Sequence, residues 1–87
     1  MADIKKRVER GNKAAALLGD ETLLAAFDAL EVLYTSDWKN SKVDEVEKRA
    51  QAYSSLRSLD DLKTQLRVFV DNGKIAAKQL QRDRDAL

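Results

Sequence analysis

The chain has 87 residues, with 16 Lys and Arg against 15 Asp and Glu for a net charge of +1, and it contains no His, Cys or Pro. Without Cys there is no disulfide, thiolate nucleophile or cysteine metal site, and without His the commonest general base and metal ligand are both missing. A near-neutral balance is not that of a dedicated nucleic-acid binder, and no run of eighteen apolar residues offers a membrane span.

This length suits one domain, residues 1–87. Three Gly, no Pro and a charged share of 36% make a helical composition, so the expected class is all-α. Chains of this size bury a modest core, and oligomerisation is a common remedy. No catalytic residue, metal site or cofactor is expected. The missing Cys fits a cytoplasmic protein, and the N-terminal stretch lacks the apolar region of a signal peptide.

The first helix is expected over residues 2–18. Ile4, Val8, Gly11, Ala15 and Leu18 recur at steps of three and four, which is one apolar seam. Asp3 suits the N-cap or first turn. Gly11 costs about 1 kcal/mol against Ala in a helix interior. Its place on the seam points either to close approach of another backbone or to a kink at Gly11-Asn12. The same helix carries Lys5, Lys6, Arg7, Arg10 and Lys13 against Asp3 and Glu9, a net +3. These five are the candidate phosphate contacts. With no aromatic residues interleaved, a solvated face is the favoured reading, which leaves nucleic acid as the alternative partner rather than the leading one.

Gly19 suits a left-handed helix end and Asp20 the cap of a second helix over residues 21–38. The tight joint predicts an antiparallel hairpin. Leu23, Phe27, Leu30, Tyr34 and Trp38 form the stripe, with Leu24, Ala26 and Leu33 beside it. From Asp20 to Trp38 there are five acids and no base, so the second helix complements the first in charge. Asp28 and Glu31 are an i, i+3 carboxylate pair, a spacing that can hold a divalent cation. Nothing else converges on them, and an acidic solvated face is the simpler account. Trp38 is expected to pack near Val43 and Val46.

Lys39-Asn40 is a short link, so the next helix should run back antiparallel. That helix, over residues 42–71, has Ser41 as N-cap and Asp44 three residues later. Its stripe reads Val43, Val46, Ala50, Tyr53, Leu56, Leu59, Leu62, Leu66, Phe69. Thirty residues make a rod of roughly 45 Å, against a radius of gyration of about 12 Å for a compact chain of this length. With the two shorter helices along its first half, either the rod breaks near Ser54-Ser55 or Ser58, or its far end projects. Asp71-Asn72-Gly73 is the strongest turn signal in the chain, predicting a short fourth helix over 74–82. The stripe also continues in phase through Ala76 and Leu80, so an unbroken helix to about Gln81 is the competing reading. Residues 82–87 should fray. A projecting end presents Leu59, Leu62, Leu66, Phe69 and Val70, extended by Ile75 and Leu80, as a partner surface. Self-association is the favoured use and another protein the second.

The string from Asp20 to Trp38, with Leu23-Leu24, Ala26-Phe27 and Ala29-Leu30-Glu31, and the later run Val68 to Ala76, together resemble small helical proteins encoded among the virion genes of tailed bacteriophages. The resemblance covers residues 15–80 and implies a virion or assembly role. It brings no catalytic residues.

Overall fold

The computed structural model describes residues 2–86 and consists of three helices: α1 (Ala2–Leu18), α2 (Glu21–Asn40) and α3 (Val46–Asp85). The described residues contain no strand. The fold is all-α, with α1 and α2 both packed on the long α3. Packing falls into two compact units, one of residues up to Asp20 with Thr64 onward, the other Glu21–Lys63.

In the first unit α1 lies on the C-terminal part of α3. This corrects the expectation that both shorter helices follow the first half of the long one. A Cβ built on Gly11 would sit 2.8 Å from the Cα of Gly73 and 2.9 Å from the carbonyl oxygen of Phe69. Gly11 is therefore there to let a backbone approach, and α1 runs unbroken through it. The buried α1 positions are Gly11 and Ala14, while Ala15, expected on the seam, is exposed. Gly19 ends α1 without a left-handed residue. Its N–H donates to the carbonyls of Ala15 and Ala16 at 3.1 and 3.2 Å, and no described residue has positive φ.

In the second unit α2 lies on the first part of α3. The Lys63 ammonium is 3.4 Å from a Glu31 oxygen and 5.6 Å from the centre of the Phe27 ring. The Arg49 guanidinium lies 5.6 Å over the Trp38 ring. The late residue of one helix thus meets the early residue of the other, which makes the pair an antiparallel hairpin. The acidic α2 takes this cation from α3. Phe27, Ala52 and Leu59 are the buried side chains of this unit.

Ser41 does not cap α3. Its hydroxyl donates to the carbonyl of Trp38 at 2.6 Å, so it closes α2, which extends to Asn40. The start of α3 is set by Glu45 instead. The Glu45 carboxylate accepts the Lys42 N–H at 2.9 Å, and the Glu45 carbonyl accepts the Arg49 N–H at 3.1 Å. The Lys48 ammonium lies 2.8 Å from the same carboxylate. That hydrogen bond, then the Lys42 N–H, holds the Glu45 carboxyl below its usual value. A depressed acid stabilises the folded turn above its unfolded pKa, and the contribution is lost as pH falls through the folded one. Both groups are exposed, so the effect is local and weakened by salt. The Lys42 amide signal should therefore titrate on the acid side of an ordinary glutamate, and Glu45→Gln should abolish that titration. A Lys42 amide with no response to pH would mean the bond does not form in solution.

The Asn72-Gly73 turn does not occur, nor does a separate fourth helix. α3 is one helix of 40 residues, and Gly73 is buried inside it against Gly11. Helix propensity costs at most about 1 kcal/mol at a Gly, less than the packing that α1 supplies there. The α3 seam also differs from the expected stripe. Ala52, Leu59, Leu66, Gly73 and Leu80, seven residues apart, face inward or partly inward. A strict seven-residue repeat is that of coiled-coil packing. At its start the stripe leaves this face at Val46, 69% exposed, and Val43, 85% exposed, lies before the helix, which begins at Val46 and not at residue 42. Trp38, expected near them, is itself exposed, with Arg49 across its ring. Residues 82–85, expected to fray, belong to α3, and Leu87 lies outside the described residues.

Candidate interaction surface

The seven residues expected to form the partner surface fall into three groups. Leu59 is buried in the core of its own unit. Leu66, Phe69, Val70 and Leu80 are half-buried. Leu62 and Ile75 remain exposed. The α3 stripe is thus largely used within the chain, and its surface residues do not form one run.

A different surface emerges on the α2–α3 hairpin. Helical geometry turns each residue 100° from the last, so Ala26, Ala29, Leu30 and Leu33 share one flank of α2. Gln51, Ser54, Ser58 and Leu62 share the matching flank of α3. The two flanks lie on the same side of the hairpin, because Leu30, Ser54, Ser58, Leu59 and Leu62 line one groove. A second groove, which includes Tyr34, Gln51 and Ser55 among its lining, shares those three residues with the first and carries it toward Asn40 and Ser41. The opposite side of the hairpin holds Asp28, the Glu31–Lys63 ion pair and Arg49. The groove side carries charge as well, since Asp37, Glu45 and Lys48 line its continuation.

Leu33 was readable in the sequence only as a neighbour of the α2 stripe. The signal that could have raised it is that the apolar residues of α2 spread wider than one neighbouring helix covers, and Leu24, Leu30, Val32 and Leu33 are all exposed.

The five basic residues of α1, Lys5, Lys6, Arg7, Arg10 and Lys13, are all exposed. Two are engaged within the first unit. Arg7 lies 3.7 Å from Asp3, and the Arg10 guanidinium stacks 5.3 Å from the centre of the Phe69 ring. Of the acidic pair on α2, Glu31 is bridged to Lys63. Among the described residues no group of three or more His, Cys, Asp or Glu could hold a metal ion. None of the described helices is long and apolar enough to cross a membrane.

No protein-family model, curated protein or solved structure matches the chain. Function is accordingly read from the surface.

Proposed function

We propose that this is a non-enzymatic interaction protein that works as an oligomer, an assembly or adaptor component of the kind carried among the virion genes of tailed phages. The observation that carries this reading is the imbalance between core and surface. Among the described residues five apolar side chains are buried, all but two of them Ala, while twelve large hydrophobic ones are exposed. The accessible surface is 6861 Å², against roughly 5,200 Å² for a folded monomer of this mass. Contiguous exposed apolar surface on a small protein marks a partner site, and association is the usual way a chain with so small a core is stabilised.

The test is solution mass by light scattering on a sizing column. The expected result is a defined multiple of 9.8 kDa, held across a tenfold dilution. A mass of one chain at high micromolar concentration would overturn the reading.

A further inference from the structure

We infer that the first unit binds the phosphate backbone of a nucleic-acid duplex along one flank, through Lys6, Arg10 and Lys13 of α1 with Gln65, Asn72 and Gln79 of α3 beside them. Neither a second copy nor the exposed apolar residues of α2 are involved.

The near-neutral chain is not neutral throughout. The first unit, residues 1–20 and 64–87, has ten Lys and Arg against six Asp and Glu, a net +4, whereas the second has six against nine, a net −3. A whole-chain charge of +1 conceals this division. The footprint of a polyanion is a local basic face and not a global balance.

The contact between α1 and α3 fixes which residues share a flank. The two helices meet at Gly11 and Gly73. At 100° per residue, Arg10, Lys6 and Lys13 lie about 100°, 140° and 160° to one side of Gly11. Arg10 marks that side, because its guanidinium stacks on the Phe69 ring of α3. Gln65, Asn72 and Gln79, seven residues apart, lie on the same side of α3 as Phe69. All six residues are exposed. Lys6 and Lys13 make no ion pair among the described residues, whereas Arg7 is engaged by Asp3.

The acids of the unit leave the middle of this flank clear. α1 and α3 run antiparallel, since Val8 lines a groove with Leu80 and Arg84 while Gly11 meets Gly73. Asp3 and Asp83 therefore both stand at its far end. Asp71 and Asp85 fall on the opposite side of α3, and Asp20 lies past the end of α1. Glu9 is on the outer face of α1 next to Lys13, one acid at the rim against three cations. Val68 and Ile75, both exposed, lie further round α3.

The ligand follows from this arrangement. Cations at i, i+4 and i+7 form a row about 10 Å long, the span of about three steps of a duplex. Asn and Gln side chains hydrogen-bond to phosphate, sugar and base edges alike, so the amide row of α3 suits the same ligand. A duplex fits better than a single strand, because the flank offers no open aromatic face on which bases would stack. Phe69 is covered by Arg10.

The test is fluorescence anisotropy of the full chain on a duplex of about 20 base pairs, over about 20–200 mM salt. Log affinity should fall against log salt with a slope of about −3 per bound chain, since each neutralised phosphate contributes about −0.9. The double variant Lys6→Gln with Lys13→Gln should flatten that slope by about 2 and weaken low-salt binding about tenfold or more. Lys5→Gln with Lys74→Gln removes the same charge from the opposite flank and should leave the slope unchanged. All four positions are exposed, and circular dichroism checks that helicity is kept. Absence of binding at the lowest salt overturns the inference. Equal losses in the two double variants also overturn it, because the attraction would then be a diffuse field and not this row. Tighter binding of a single strand of the same length rejects the duplex, and equal competition by poly-glutamate would make an acidic protein the ligand instead. None of these outcomes depends on solution mass, so the oligomer reading stands or falls separately.

Discussion

Adding a side chain at Gly73 should detach α1 from α3. In the middle of an exposed helix, Gly→Ala stabilises by about 1 kcal/mol, because Gly gives up more backbone freedom on folding. At Gly73 the sign should reverse. A Cβ there would stand 2.9 Å from the Cα of Gly11 and 3.1 Å from the carbonyl oxygen of Arg7. Both neighbours are backbone atoms of a helix, so neither can swing aside as a side chain end would. Relief requires the two helices to separate, which opens the contact that seats Ala14 and Ala76, the buried apolar side chains of that unit. Overpacking a close-packed interior typically costs about 1–3 kcal/mol. Gly73→Ala should therefore be destabilising overall, and Gly73→Leu should cost about 3 kcal/mol or more. Amide exchange would show the loss of protection concentrated in α1 and in α3 beyond Thr64. Denaturant unfolding gives the magnitude. A Gly73→Ala protein about 1 kcal/mol more stable than the wild type would show that propensity alone operates and that the helices do not meet there.

The second large effect is expected at Phe27. It is the only aromatic side chain among the buried residues, at 4% exposure, and it fills the space between α2 and α3. Truncating a buried Phe to Ala costs about 3–5 kcal/mol, through lost transfer energy and the cavity left behind. Total stability of a small domain is only about 5–15 kcal/mol, so Phe27→Ala should remove a large part of it. A two-helix unit can partly collapse onto the cavity, which places the expectation near 3 kcal/mol. Lys63 separates packing from charge at this site, since its ammonium meets both the Phe27 ring and Glu31. Lys63→Met keeps the aliphatic stem against the ring and removes the charge. An ion pair of this exposure is worth about 1 kcal/mol or less, so Lys63→Met should change stability far less than Phe27→Ala. Equal losses for the two in thermal or denaturant unfolding would mean that the cation, and not the ring, holds the hairpin.

Much of the local structure was legible in the sequence. The steps of three and four in α1 and α2 and the break at Gly19-Asp20 follow from helical period and end chemistry, whereas at Gly11 a close backbone approach and a kink were equally open. The ends of α3 were harder. Ser41 is as good an N-cap as a sequence offers, yet its hydroxyl serves the carbonyl of Trp38. Cap propensity names a residue type and not the helix it will serve. Glu45, an ordinary acid by type, closes the turn through Lys42. The α3 stripe is a partner surface only where no other helix covers it. Its half-buried members Leu66 and Phe69 belong to the unit that α1 helps build. The exposure of Leu30 and Leu33 on α2 was not legible, because periodicity does not say how much of a wide apolar arc one neighbour covers.

What the sequence determined by itself was therefore the element type and the boundary between α1 and α2, since each depends on residues within a few positions of one another. Only the tertiary structure decided which part of α3 receives α1, whether Asn72-Gly73 turns, and which apolar residues remain on the surface. Gly73 states the reason most plainly. Alone it is a helix breaker worth about 1 kcal/mol, but set against Gly11, 62 positions earlier in the chain, it is the point where two backbones meet. No local rule contains a partner so distant.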